Sequence, residues 1–95
     1  MTQRHKLKQR FENRRYVYHL LLDSECAVCG EKDPACLEFD HNDPATKRGS
    51  VSELAHQGVP IRVLRQEISK CTVVCANCHR KKTARDQNWY ADLVS

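Results

Sequence analysis

Apolar residues in the first quarter of the chain recur at helical steps. Between Lys6 and Leu22 the positions Leu7, Phe11, Tyr18 and Leu21 or Leu22 stand three or four apart, with Val17 beside them and Lys and Arg between. This spacing predicts an amphipathic basic helix whose apolar stripe faces a core. Asp23 and Ser24 break it. After the turn signal Asp33-Pro34 the period changes to two over Cys36-Leu37-Glu38-Phe39-Asp40-His41, which predicts a short strand that delivers Asp40 and His41 at its end. Asn42-Asp43-Pro44 closes that strand, and Lys47 to Ser50 make a polar connection. Ser52 is expected to cap a short helix from Glu53 to Gln57 that stops at Gly58. Pro60 then opens a second helix with Ile61, Leu64 and Ile68 on one face. Residues 71 to 74 read as a second strand, Asn77 or Cys78 to Arg85 as a basic helix, and Trp89 with Leu93 as a last helical turn packing back on the core.

The fold class is therefore α+β, with a basic N-terminal helix at 1–23, a core at 24–85 and a helical tail at 86–95. A chain of 95 residues makes one domain, and a domain this small often needs a staple. Its cysteines offer one. Cys26 with Cys29 and Cys75 with Cys78 have the Cys-x-x-Cys spacing of zinc knuckles, and Gly30 can take the positive φ that a tight metal-binding turn needs. Four tetrahedral thiolates on one Zn2+ would bring together the ends of the 45-residue stretch between Cys29 and Cys75. Redox-active dithiols lack a thioredoxin-like context here. Cys36 and Cys71 fall outside the paired spacing and read as small buried hydrophobes, although either could replace a knuckle ligand. Residues 1 to 16 are mostly charged or polar and predict no signal segment, and the apolar run near residue 20 is too short for a bilayer. Both features lead us to expect a cytoplasmic protein with no membrane partner.

The net charge of +4 gains meaning once it is divided along the chain. Residues 1–15 sum to +5, residues 23–43 to −6 and residues 61–85 to +6. Two basic segments thus flank an acidic middle, a distribution suited to a polyanion gripped on both sides of a cation site. Among the histidines, His5, His19 and His56 lie on predicted helices without a ligand partner nearby in sequence and read as surface or packing residues. His41 and His79 differ, since one follows Asp40 at a strand end and the other follows Cys78.

Leu37-Glu38-Phe39-Asp40-His41, followed by Cys75-Ala76-Asn77-Cys78-His79-Arg80, resembles the HNH endonuclease family in its zinc-containing form, over roughly residues 24 to 83. The likeness is greatest to the small HNH proteins of bacteriophage and bacterial genomes. It implies a ββα-metal (His-Me finger) core with flanking helices, DNA as substrate, ends bearing 5′-phosphate and 3′-hydroxyl, and residence in the bacterial host cytosol if the protein is phage-encoded. It also implies that a backbone or amide contact orients His41. The middle Asn of the family name has no clear counterpart. Lys70 stands where it would often precede the second strand, and Asn77 is left to supply a supporting hydrogen bond or metal contact.

The residue chemistry leads the same way. Phosphodiester hydrolysis needs a base for water and a cation at the leaving oxygen, and imidazole is a base suited to neutral pH. His41 is the expected general base, and Asp40 with His79 the expected ligands of a catalytic Mg2+ or Mn2+, with Ni2+ or Co2+ tolerated. Arg80, Lys81, Lys82, Arg14 and Arg15 are the expected phosphate contacts, and no base-reading module is visible. A second reading is a noncatalytic zinc-stabilised module that binds DNA or a protein partner, such as a packaging accessory or an inhibitor. The presence of Asp40, His41 and His79 together argues against it.

Overall fold

The first helix buries only the edge of the stripe its apolar spacing predicts, with Leu21 and Val17 inside. A computed structural model describes residues 3–94, with side chains from residue 5 onward, so the basic side chain of Arg4 lies outside the described residues. Helix α1 runs Gln3–Leu22 and turns Asn13, Tyr16, Val17 and Leu21 inward. Leu7, Phe11, Tyr18 and Leu22 stay exposed, Phe11 by 65%. Asn13 lies at the centre of that inward face, beside Val17 and Leu21 packed on the core. It is fully buried, accepts from Gln9 Nε2 at 2.9 Å, and donates to the carbonyls of Val59 at 2.9 Å and Ala55 at 3.4 Å. A hydrogen-bonding side chain with three satisfied contacts thereby helps to fix the helix rotation, because turning the apolar stripe inward would leave those two carbonyls without their side-chain donor.

Strand β1, Leu37–His41, pairs antiparallel with β2, Cys71–Cys75, and the register sets Leu37 opposite Cys75, Phe39 opposite Val73 and His41 opposite Cys71. Helices α2, Val51–His56, and α3, Ile61–Ile68, lie between the strands in sequence, and α4, Ala76–Asp86, follows β2 directly. The described residues thus form a small α+β fold of four α-helices and a two-stranded sheet. Ser50, not Ser52, caps α2, accepting from Glu53 N at 3.1 Å. The Ser50-x-x-Glu53 spacing is that of a capping box, and it turns Val51, Leu54 and Ala55 inward. Gly58 has φ +74 between α2 and α3, and a Cβ there would meet the Lys6 carbonyl at 3.1 Å, so a side chain would push α1 away.

Two groups of buried residues share one bridge. Leu21, Cys26, Leu37, Val74 and Cys75 form the first, while Val51, Leu54, Ala55 and Leu64 form the second. Phe39 and Val17 pack against both, so the inward face of β1 joins the cysteine end of the molecule to the α2–α3 end. The expected helical tail is absent. Residues 87–93 form turns, with Asn88 at φ 53 and Tyr90 at φ 67 breaking the helix, and Leu93 is 72% exposed. No helix among the described residues is long and apolar enough to cross a membrane.

Asn13→Ala should therefore cost about 2 kcal/mol, since it removes the Val59 carbonyl's side-chain donor and leaves a gap at a fully buried position, whereas Phe11→Ser should change stability by less than about 0.5 kcal/mol. Denaturant unfolding of the metal-loaded protein measures both, and the reverse ranking would mean that the apolar stripe is the buried face.

Candidate metal and hydrolytic centre

The two knuckles meet. The sulfurs of Cys26, Cys29, Cys75 and Cys78 all lie within 4.8 Å of one another, and those of Cys29 and Cys75 are 3.7 Å apart. Two ligands about 2.3 Å from one ion at the tetrahedral angle lie about 3.8 Å apart, so the cluster could hold a metal ion and is consistent with structural zinc. Local backbone builds each half. The N–H groups of Val28 and Cys29 point at Cys26 Sγ from 3.4 and 3.5 Å, that of Cys78 points at Cys75 Sγ from 3.3 Å, and Gly30 turns the first knuckle at φ +82. Burial pushes the Cys26 thiol up, but N–H donors from Cys29, Cys75 and Val28 outweigh it and bring the thiol down to about 6. The Cys78 thiol is pushed up to about 12, first by its contact with Cys75 and then by burial. Four sulfurs this close can all ionise only around a cation.

Cys36 and Cys71 lie outside the cluster, as the spacing predicts. Cys71 packs against the α2–α3 core, with its thiol directed at the Glu67 carbonyl, and Cys36 is half-buried. Among the described residues the four cysteines are the one set of three or more metal-type donors that converges.

Cys78 is followed by His79 on the first turns of α4, which brings the imidazole over the outward face of β1. His79 Nδ1 donates to Glu38 Oε1 at 2.7 Å, and its Nε2 lies 3.3 Å from Asp40 Oδ1. Two donors bound at right angles to an ion about 2.1 Å away would be about 3 Å apart, close to the spacing seen between His79 and Asp40. Nδ1 donating to a carboxylate is the contact by which a neighbouring carboxylate orients a metal-ligating histidine, and here it turns Nε2 toward Asp40. Glu38 was legible only once the strand was seen to alternate: Glu38 and Asp40 share the face turned to α4, and residues 37, 39 and 41 share the other.

His41 leaves β1 on that other face and is buried. Its Nε2 is 2.6 Å from Glu67 Oε2 on α3, a contact with a carboxylate where a backbone or amide partner was expected. Neither Glu38 nor Glu67 stood out in the sequence, because each partner lies far along the chain. A cleft of about 350 Å³ reaches both histidines, lined also by Glu38, Lys47, Ser50 and Val51. Asp40 does not line it.

Two expected site residues are elsewhere. Asn77 is about 200° around α4 from His79 and lines a surface hollow with Lys81, Trp89 and Tyr90, so helix geometry removes it from the site. Lys82 donates from its ammonium to Asp40 Oδ2 at 2.7 Å, which raises its pKa and commits its charge to that carboxylate although the side chain is 43% exposed. Arg80 is exposed and its guanidinium lies 5.1 Å from the Trp89 ring centre. Arg14 and Arg15 are exposed on α1, and Arg14 lines a groove with His56, Val17 and Ser52 that shares the last two residues with the histidine cleft.

Comparison of the chain with protein-family models, curated proteins and solved structures finds no match.

Protein purified without added metal should carry about one zinc per chain, and Cys75→Ser should lose both the metal and the cooperative unfolding transition. Elemental analysis and circular dichroism measure the two. Folded protein with less than about half an equivalent of zinc, or with iron in its place, would overturn the zinc assignment.

Proposed function

We propose that the protein is a metal-dependent endonuclease of the HNH type, with structural zinc at the four cysteines, that hydrolyses DNA phosphodiester bonds. The observation that carries the reading is the Glu38–His79–Asp40 chain, a carboxylate-oriented imidazole set against a second carboxylate at ligand spacing, with His41 in the same cleft as His79. Such a pair of donors suits a hydrated Mg2+ or Mn2+, which takes few protein ligands and fills its remaining positions with water and phosphate oxygen. When bound, the ion supplies positive charge at the phosphate and the leaving oxygen.

The protein's own groups do the rest. His41 accepts a proton from water, the water oxygen bonds to phosphorus, and the bond from phosphorus to the 3′ oxygen breaks. The ends left are 5′-phosphate and 3′-hydroxyl once the alkoxide takes a proton from solvent. Arg14, Arg15, Arg80 and Lys81 are the basic side chains that would hold the flanking phosphates, contacts that give affinity without sequence information. The Lys82–Asp40 pair favours the second reading, a noncatalytic module, because an ammonium already neutralises the carboxylate that a divalent ion would use.

Supercoiled plasmid and a Mn2+ titration separate these readings, with zinc content measured in each variant. His41→Ala should lower cleavage by at least about a hundredfold at every metal concentration, while Asp40→Ala and His79→Ala should raise the Mn2+ requirement and recover part of the rate in excess metal. If the parent protein leaves plasmid intact, or all three variants cut like the parent, the nuclease reading is wrong.

Charge removal on α1 tests the DNA contacts without disturbing Asn13. Arg14→Gln with Arg15→Gln should weaken DNA binding and reduce the slope of log affinity against log salt by up to about 2, with zinc content unchanged. An unchanged slope would assign these residues to a solvated face.

A further inference from the structure

Glu67 is the most deeply buried charged side chain among the described residues, 1% exposed. A carboxylate withdrawn from water costs several kcal/mol unless its oxygens are satisfied. Here both are: Oε1 accepts from Lys70 Nζ at 2.9 Å, and Oε2 accepts from Arg48 N at 3.0 Å and from His41 Nε2 at 2.6 Å. Burial alone would raise the carboxyl, but Lys70, the Arg48 N–H and His41 outweigh it and hold it down to about 2. Lys70 also donates to the Thr46 carbonyl at 2.8 Å, which ties the connection after β1 to the same carboxylate.

Lys70 and the Arg48 N–H already give each oxygen of Glu67 a donor. The third bond goes to His41, and an ionised carboxylate has only lone pairs to offer. The proton of a neutral His41 ring must therefore sit on Nε2, leaving the lone pair on Nδ1. His79 is held the other way round, with Nδ1 donating to Glu38 and Nε2 toward Asp40.

We propose that Glu67 is a positioning residue that locks His41 in its Nε2–H tautomer and so makes Nδ1 the nitrogen that takes the proton from water. The inference rests on the reading of His41 as the base. In the step, Nδ1 gains the proton and the ring becomes an imidazolium with N–H at both nitrogens. Glu67 stays ionised and faces that charge, and the Nδ1 proton then passes to solvent. Lys70 and Arg48 hold the carboxylate still through this cycle.

The test reads the tautomer directly. Long-range 1H–15N correlation spectra of the zinc-loaded protein at pH 8, without Mg2+ or Mn2+, should show His41 as Nε2–H. Glu67→Gln offers a neutral amide in place of an obligate acceptor, so it should mix the His41 tautomers. It should also lower Mn2+-dependent plasmid cleavage at least about tenfold, with zinc content and the Mn2+ requirement unchanged. Glu67→Asp keeps the charge and should recover part of the rate. A parent His41 in the Nδ1–H form, or a folded Glu67→Gln protein that cuts at the parental rate, overturns the proposal. The parental spectrum decides even if Glu67→Gln does not fold. A parent with Nε2–H His41 that cuts no DNA supports the lock and defeats the nuclease reading alone.

Discussion

Four sulfurs within 4.8 Å of one another repel as thiolates and gain little as thiols, and a cation held between them would turn that convergence into a clamp. The arrangement of the chain follows from that closure. It joins the turn at Cys26–Gly30 to the end of β2 and brings together the ends of a 45-residue stretch that holds β1, α2 and α3. Cys75 is both a cluster sulfur and the N-cap of α4, accepting from Cys78 N, so the cluster also sets where α4 starts. His79 is one residue beyond Cys78. Its position over β1 is thereby linked to the cysteine cluster through a single turn of helix, and the register of β1 against β2 brings Glu38 and Asp40 beneath it.

Charge is handled by folding opposite segments onto each other. The acidic stretch 23–43 supplies Glu38 and Asp40, and the basic stretch 61–85 supplies His79 and Lys82 to meet them. Glu67, the one carboxylate within that basic stretch, is buried against Lys70 and His41. The positive charge left toward solvent belongs to residues such as Arg14, Arg15, Arg80 and Lys81, all exposed. A polyanion would meet these side chains around a cleft whose internal charges are already paired, which limits the desolvation needed at the centre.

The two histidines illustrate how environment separates identical side chains. His79 is a third exposed and its partners are partly solvated, so a ligand or solvent can reach the nitrogen facing Asp40. His41 is buried against a carboxylate fixed by two other donors, which restrains the ring far more tightly. Restraint of this kind suits a group that must meet a reacting atom, the role proposed for His41, and mobility is tolerable in one that only has to accept an ion, the role proposed for His79.

The sequence by itself determined whatever depends on neighbours a few residues apart. The strand 37–41, the strand from Cys71, both Cys-x-x-Cys turns with Gly30, the stop at Gly58 and the helix after Cys75 are all local, because alternation, turn chemistry and ligand spacing act within one or two turns of chain. The choice of Asp40, His41 and His79 as chemically notable residues came from the same source. Tertiary structure alone decided the rest. Asn13 with Tyr16, Val17 and Leu21, and not the stripe of Leu7, Phe11 and Tyr18, faces inward on α1, and the carbonyl partners of Asn13 are 42 and 46 residues away. Left-handed backbone at Asn88 and Tyr90 removed the expected last helix, and the rotation of α4 turned Asn77 outward while committing Lys82 to Asp40. Glu67 meets His41 across 26 residues and Glu38 meets His79 across 41. No periodicity reports such pairs, because hydrogen bonds between distant segments exist only after the sheet register and the helix packing have brought their atoms together.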